Sequence, residues 1–154
     1  MIHGILQAIH DEIETLWDNY VDNIGHQLEA LGETEPLILY WPVTQEYFTI
    51  YNSNAFFIGR IQDHDLRKLI VSTYSKARGL VDSYRLNNDL VQKHEHAYWI
   101  SQETQNQIHL ANAKSHYAAL VSYSKTLKKS HIEVKQQVQE LLRELRKKGV
   151  LNNP

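Results

Sequence analysis

Apolar side chains recur at Ile2, Ile5, Ile9, Ile13, Leu16, Tyr20, Ile24, Leu28 and Leu31, always three or four residues apart. A helix of about 3.6 residues per turn carries such positions on one face, so residues 2–31 are predicted to form an amphipathic helix. A second seam runs Leu66, Ile70, Thr73, Ala77, Leu80, Tyr84, Asn87, Val91, His94 and Tyr98. A third runs Leu110, Ala113, Tyr117, Leu120, Ser124, Leu127, His131, Val134, Val138, Leu141 and Leu145. Both alternate steps of four and three, the heptad spacing of helices packed side by side. They predict long helices over residues 63–100 and 104–148, with the turn at residues 101–106. Residues 130–133, Ser-His-Ile-Glu, match a capping box that would start a separate helix at His131. The seam crosses that point in phase, so a broken and an unbroken final helix both remain open.

Residues 33–61 lack this periodicity. The apolar run 37–41 stops at Pro42, and residues 47–51 alternate too briefly to establish a sheet. An extended crossover packed on the helices is expected. Ser53 or Asn54 is placed to cap a short helix through Ile58, which Gly59 would close in the left-handed conformation. Gly32 would stop the first helix, and Asp63 would cap the helix that follows the crossover, with Asp65 in its first turn. Gly149 would end the last helix, with residues 150–154 fraying.

The scarcity of chain breakers makes the fold class firmer. No proline lies between Pro42 and Pro154, and Gly79 is the sole glycine between Arg60 and Lys148. An all-β chain needs a turn every 8 to 12 residues or so, which effectively excludes that class and makes α/β a poor fit. The expectation is an all-α single domain over residues 1–154: an elongated bundle of three or four long helices with an irregular aromatic crossover.

Charge adds a demand for contact. The net is −2, yet residues 1–65 hold eleven acidic side chains against Arg60 alone, while residues 125–148 hold eight basic and three acidic ones. The first helix has no Lys or Arg to pair with its own carboxylates, so it needs a basic neighbour, and the last helix is the leading candidate. The other use of Lys125, Lys128, Lys129, Lys135, Arg143, Arg146, Lys147 and Lys148 is contact with nucleic acid or an anionic membrane. A pI near 6.5 argues against constitutive nucleic-acid binding.

Candidate chemistry is sparse. The absence of cysteine excludes thiolate catalysis, disulfides and Cys-bearing metal sites. Of nine histidines, His94 and His96 point about 200° apart on a helix. His3 with His10, and His109 with His116, share a face but sit about 10 Å apart, so neither pair makes a site without ligands from elsewhere. No metal and no cofactor are assigned. His10-Asp11 and His64-Asp65 match the dipeptide of metal-dependent phosphohydrolases without the rest of that motif, and Arg60 to His64 falls one residue short of the spacing in a class of helical ribonucleases. There is no phosphate-cradling Gly-rich loop and no Gly-x-Ser-x-Gly. His94 and His131 occupy polar seam positions, where such residues set register or partner. If each is paired across a helix interface, protonation near about pH 6 would loosen the bundle.

Trp41, Tyr47, Phe48, Tyr51, Phe56 and Phe57 fall within seventeen residues of the crossover. They read either as a plug closing one end of the bundle or as a partner surface. Residues 47–61, Tyr-Phe-Thr-Ile-Tyr-Asn-Ser-Asn-Ala-Phe-Phe-Ile-Gly-Arg-Ile, followed by Leu-Ile-Val-Ser-Thr-Tyr at 69–74, resemble a pattern in a group of uncharacterised bacterial helical proteins. The likeness covers about 40 residues, and Asp11-Glu-Ile-Glu14 before them is similar in place; Ile61-Gln62 stands where the group has Leu-Pro. The resemblance implies a shared helical scaffold and a membrane tether, since members often begin with a membrane-spanning helix that this sequence lacks; it supplies no activity. Read physically, Tyr47, Tyr51, Asn52, Asn54, Gly59 and Tyr74 should build the elbow joining crossover to bundle, with Tyr74 facing back toward the short helix.

The sequence therefore points to a non-enzymatic interaction or regulatory module, pairing with a protein or with itself as a homodimer, and cytoplasmic as it stands. A small helical metal-dependent hydrolase or nuclease is the first alternative; nucleic-acid or membrane contact through the basic C-terminal helix is the second.

Overall fold

The computed structural model describes residues 2–43 and 46–152, and among them it is all-helical, without strands. Three helices are long: α1 (Ile2–Tyr20), α5 (His64–Thr104) and α6 (Gln107–Lys147). The final helix runs through Ser130 and His131 unbroken, so the capping-box pattern is not used and seam continuity prevails. After α1 come one π turn (Val21–Gly25) and a short α2 (His26–Ala30). The seam contains a reason for that turn. From Leu16 to Leu28 it takes three successive steps of four, twelve residues in three turns where an ideal helix needs about 11. A π turn absorbs the extra residue, and Tyr20, Ile24 and Leu28 all remain buried.

Contacts group the chain into two compact units, one of Met1–Asn23, Thr44–Arg78 and Ile132–Pro154, the other of Ile24–Val43 and Gly79–His131. In the first, Ile9, Ile13, Leu66, Ile70, Val134, Val138, Leu141 and Leu145 form the apolar interior; in the second, Leu28, Leu37, Leu80, Tyr84, Val91, Leu120 and Leu127 do. The periodic positions are thus the buried ones along most of both long seams.

Helix ends show what terminates each element. Asp63 caps α5 as expected, its Oδ1 accepting the Leu66 N–H at 3.1 Å. Gly149 ends α6 at φ +91°, where the Val150 N–H reaches the Leu145 carbonyl and the Gly149 N–H the Arg146 carbonyl, both at 3.1 Å. This is a Schellman closure, and the apolar contact that accompanies such closures buries Val150. Val150 therefore does not fray, while Asn153 and Pro154 lie outside the described residues. One expected glycine conformation is corrected: Gly59 sits at φ −61°, in the right-handed region. The first helical stretch ends just before Gly32, as expected, with Leu31 extended at ψ 137°. The turn between the long helices needs neither glycine nor proline. Gln105 adopts φ 49° and donates its N–H to the Ser101 carbonyl at 2.9 Å, and the Asn106 Oδ1 then caps α6 by accepting the Ile108 N–H at 2.8 Å.

The crossover is more helical than expected. Beyond the anticipated α4 (Ala55–Ile58), residues expected to be extended form α3 (Thr49–Ser53).

Candidate interaction surface

The elbow of the first unit is built around Glu12. This carboxylate, buried on α1, accepts the backbone N–H groups of Ile50 at 2.7 Å and Tyr51 at 3.2 Å. Those are the orphan donors in the first turn of α3, and the preceding residue, Phe48, has no side-chain oxygen to satisfy them. Glu12 therefore caps α3 from another helix. Its Oε1 also accepts the Tyr74 hydroxyl at 2.7 Å. Burial, together with the adjacent Glu12 carboxylate, pushes the Tyr74 hydroxyl far above the usual phenol range. Tyr51 stacks on Tyr74 at 3.9 Å and Phe48 meets it edge-on at 5.5 Å, while the Arg78 guanidinium lies 5.7 Å from both the Phe48 and Tyr51 rings and donates to the Asn52 side-chain oxygen.

Most of the residues singled out in the motif converge here. Tyr74, Tyr51 and Asn52 meet at Arg78 and Glu12; Tyr47 is half-buried beside Phe48. The Asn54 side-chain amide donates back to the Ile50 carbonyl at 2.8 Å and makes no N-cap bond. Gly59 follows α4 without the conformational role assigned to it. The crossover aromatics do not form one plug: Trp41 packs edge-on against Tyr84 in the second unit, at 4.9 Å, and Phe56 is exposed under the Arg60 guanidinium.

The expected contact between acidic and basic helices occurs within each unit. In the first, Arg146 pairs with Glu14 at 2.8 Å and donates through Nε to His10 Nε2 at 3.2 Å. Because arginine only donates, His10 holds its proton on Nδ1, facing Asp11 at 3.1 Å. Lys148 pairs with Asp63 at 2.8 Å, which holds the Asp63 carboxyl below the usual carboxylate range and Lys148 above its own. In the second unit His131 Nε2 meets Glu29 at 2.7 Å, and the Lys128 ammonium donates to the Leu31 carbonyl.

The second unit also holds the extended residues 31–43 by side-chain bonds. The Leu37 N–H reaches the Ser124 Oγ at 2.8 Å, the Asn87 amide donates to the Leu37 carbonyl at 3.2 Å, and Asn88 both accepts from the Trp41 N–H and donates to its carbonyl. These anchors sit at Asn87, Asn88 and Ser124. Nearer the turn between α5 and α6, the seams change character. Tyr98, Leu110 and Tyr117 are 53%, 40% and 42% exposed at positions whose equivalents along the seams are buried. The His94 ring lies 6.2 Å from Tyr98 and 5.6 Å from Tyr117, so α5 and α6 present these groups together, with Trp99 exposed beside them. His94 and His131 are therefore separate features, one among tyrosines and one on a carboxylate.

Among the described residues no group of three or more His, Asp or Glu side chains can hold a metal ion, and no helix is long and apolar enough to cross a membrane. Comparison with protein-family models, curated proteins and solved structures yields no match.

Proposed function

We propose that this chain is a non-enzymatic helical interaction module that pairs with a second copy of itself through the α5 and α6 face bearing Tyr98, Leu110 and Tyr117. The observation that carries the reading is apolar side chains at seam positions left open to solvent. Heptad positions are apolar because something packs on them, and here the chain's own segment is anchored elsewhere. Charge favours a second copy as the occupant. Residues 90–120 carry two lysines, Lys93 and Lys114, and two glutamates, Glu95 and Glu103, so two copies meet without an excess of either sign. With Trp99, these side chains expose roughly 400 Å² per copy, on the order of 800 Å² for two, so a stable dimer must also bury neighbouring residues to clear about 1,000 Å². An elongated, coiled-coil-like bundle and kinship with the bacterial helical group, including its membrane tether, belong to the same proposal.

The alternatives have less support. His10 is committed to Arg146 and Asp11, and His64 meets the Arg67 guanidinium, so neither His-Asp dipeptide offers an unengaged imidazole for hydrolysis. Of the eight C-terminal cations, Lys128, Arg146, Lys147 and Lys148 are engaged with acceptors on the chain, which weakens the case for a polyanion surface.

The lack of cysteine gives a clean test. Leu110→Cys introduces a single thiol on the face, and a two-fold axis passing through that face brings the two thiols within reach of one another. Oxidation should yield a disulfide-linked dimer, whereas Lys68→Cys, exposed in the other unit, should stay monomeric. Equal cross-linking of the two variants would remove the assignment.

A further inference from the structure

The same two helices line a half-open surface groove of about 130 Å³, with Lys93, His96 and Asn112 exposed to solvent. α5 contributes Lys93, His96, Ala97 and Ile100; α6 contributes His109, Asn112 and His116. Among the described residues, none of the five polar side chains makes a hydrogen bond or ion pair. Every one of them can donate, and no Asp or Glu lines the space. Five uncommitted donors around one groove are a chemical statement about what would fill it.

A bare cation is the wrong occupant. The three imidazoles do not converge to ligand spacing, consistent with His109 and His116 being two helical turns, about 10 Å, apart. Donors that cannot share one metal ion can still reach different oxygens of a polyatomic anion. We infer that this groove is a binding site for a small tetrahedral oxyanion, a sulfate or phosphate group held by Lys93, His96, His109, Asn112 and His116. The lysine supplies a permanent charge. The imidazoles and the Asn112 amide supply N–H donors. The titratable groups lining the site are Lys93 and His96 from α5 and His109 and His116 from α6.

Calorimetric titration with sodium sulfate tests this. At constant pH and ionic strength, saturable one-site binding is expected. His109→Leu with His116→Leu, and separately Lys93→Met, should each weaken binding by about tenfold or more; circular dichroism and the melting temperature verify that each variant is folded. Inorganic phosphate and glycerol phosphate then distinguish a free ion, which binds equally as either, from an organic phosphomonoester, which binds more tightly. Absence of saturable sulfate binding, affinity unchanged in these folded variants, or stoichiometric uptake of Zn²⁺ without sulfate binding would overturn the assignment.

Discussion

Glu12 carries more of the structure than its place on a polar helix face suggests. Three donors converge on one buried carboxylate, and each would be left unsatisfied if it were removed. Glu12→Ala is expected to cost about 3 kcal/mol in chemical denaturation, with loss of α3, and Tyr74→Phe about 1 kcal/mol. A double-mutant cycle should return a coupling well above zero. Tyr74 also predicts a pH effect with a definite sign. A phenol whose folded value is raised contributes stability that is complete below its unfolded value, about 10, and is lost as pH climbs above it. Tyr74→Phe should therefore be the less stable protein at neutral pH while losing less stability on going to strongly alkaline solution; parallel alkaline losses in both proteins would contradict this. None of this was readable beforehand, because Glu12 and the α3 backbone are 38 residues apart and helix periodicity places Glu12 with the solvent-facing acids.

At the scale of elements, the three long helices were legible because their signal is repetitive: each seam position repeats the same demand for burial. Termini were less so, since one residue decides each. Gly149 behaves as a sequence reading expects, whereas Gly59 does not, and substitution separates the two. Gly149→Ala should destabilise by about 1 kcal/mol through its left-handed backbone, whereas Gly59→Ala should raise stability by about 0.5 kcal/mol, its new methyl meeting only ordinary contacts at 3.6 Å. Gln105, left-handed without being glycine, should gain about 1 kcal/mol as Gln105→Gly. At the start of α5, Asp63 holds two roles, cap and partner of Lys148. Asp63→Asn keeps the cap and should melt above Asp63→Ala. Because the folded carboxyl is depressed, the pairing contributes above the ordinary carboxylate range and is lost as pH falls through the folded value, a loss that Asp63→Asn should not show.

For the whole molecule, the opposed charges of the two ends were a usable signal, and they meet as Glu14 with Arg146. The proposed interaction face was half legible. Tyr98, Leu110 and Tyr117 were placed on seams, but a seam reports only that a position wants burial, not whether the chain itself supplies the cover. The extended segment is anchored at Asn87, Asn88 and Ser124, a tertiary fact with no periodicity. The three histidines of the groove failed for the same reason: His109 and His116 lacked a third partner until α5 brought His96 to them. The central claim is that a second copy covers the exposed tyrosines, and sedimentation equilibrium tests it most directly. At about 100 μM the chain should approach twice its 18.0 kDa, and Tyr98→Glu with Tyr117→Glu should return a folded species at 18.0 kDa. A mass of 18.0 kDa for the unaltered chain at that concentration, or a dimer that survives both substitutions, would contradict the account.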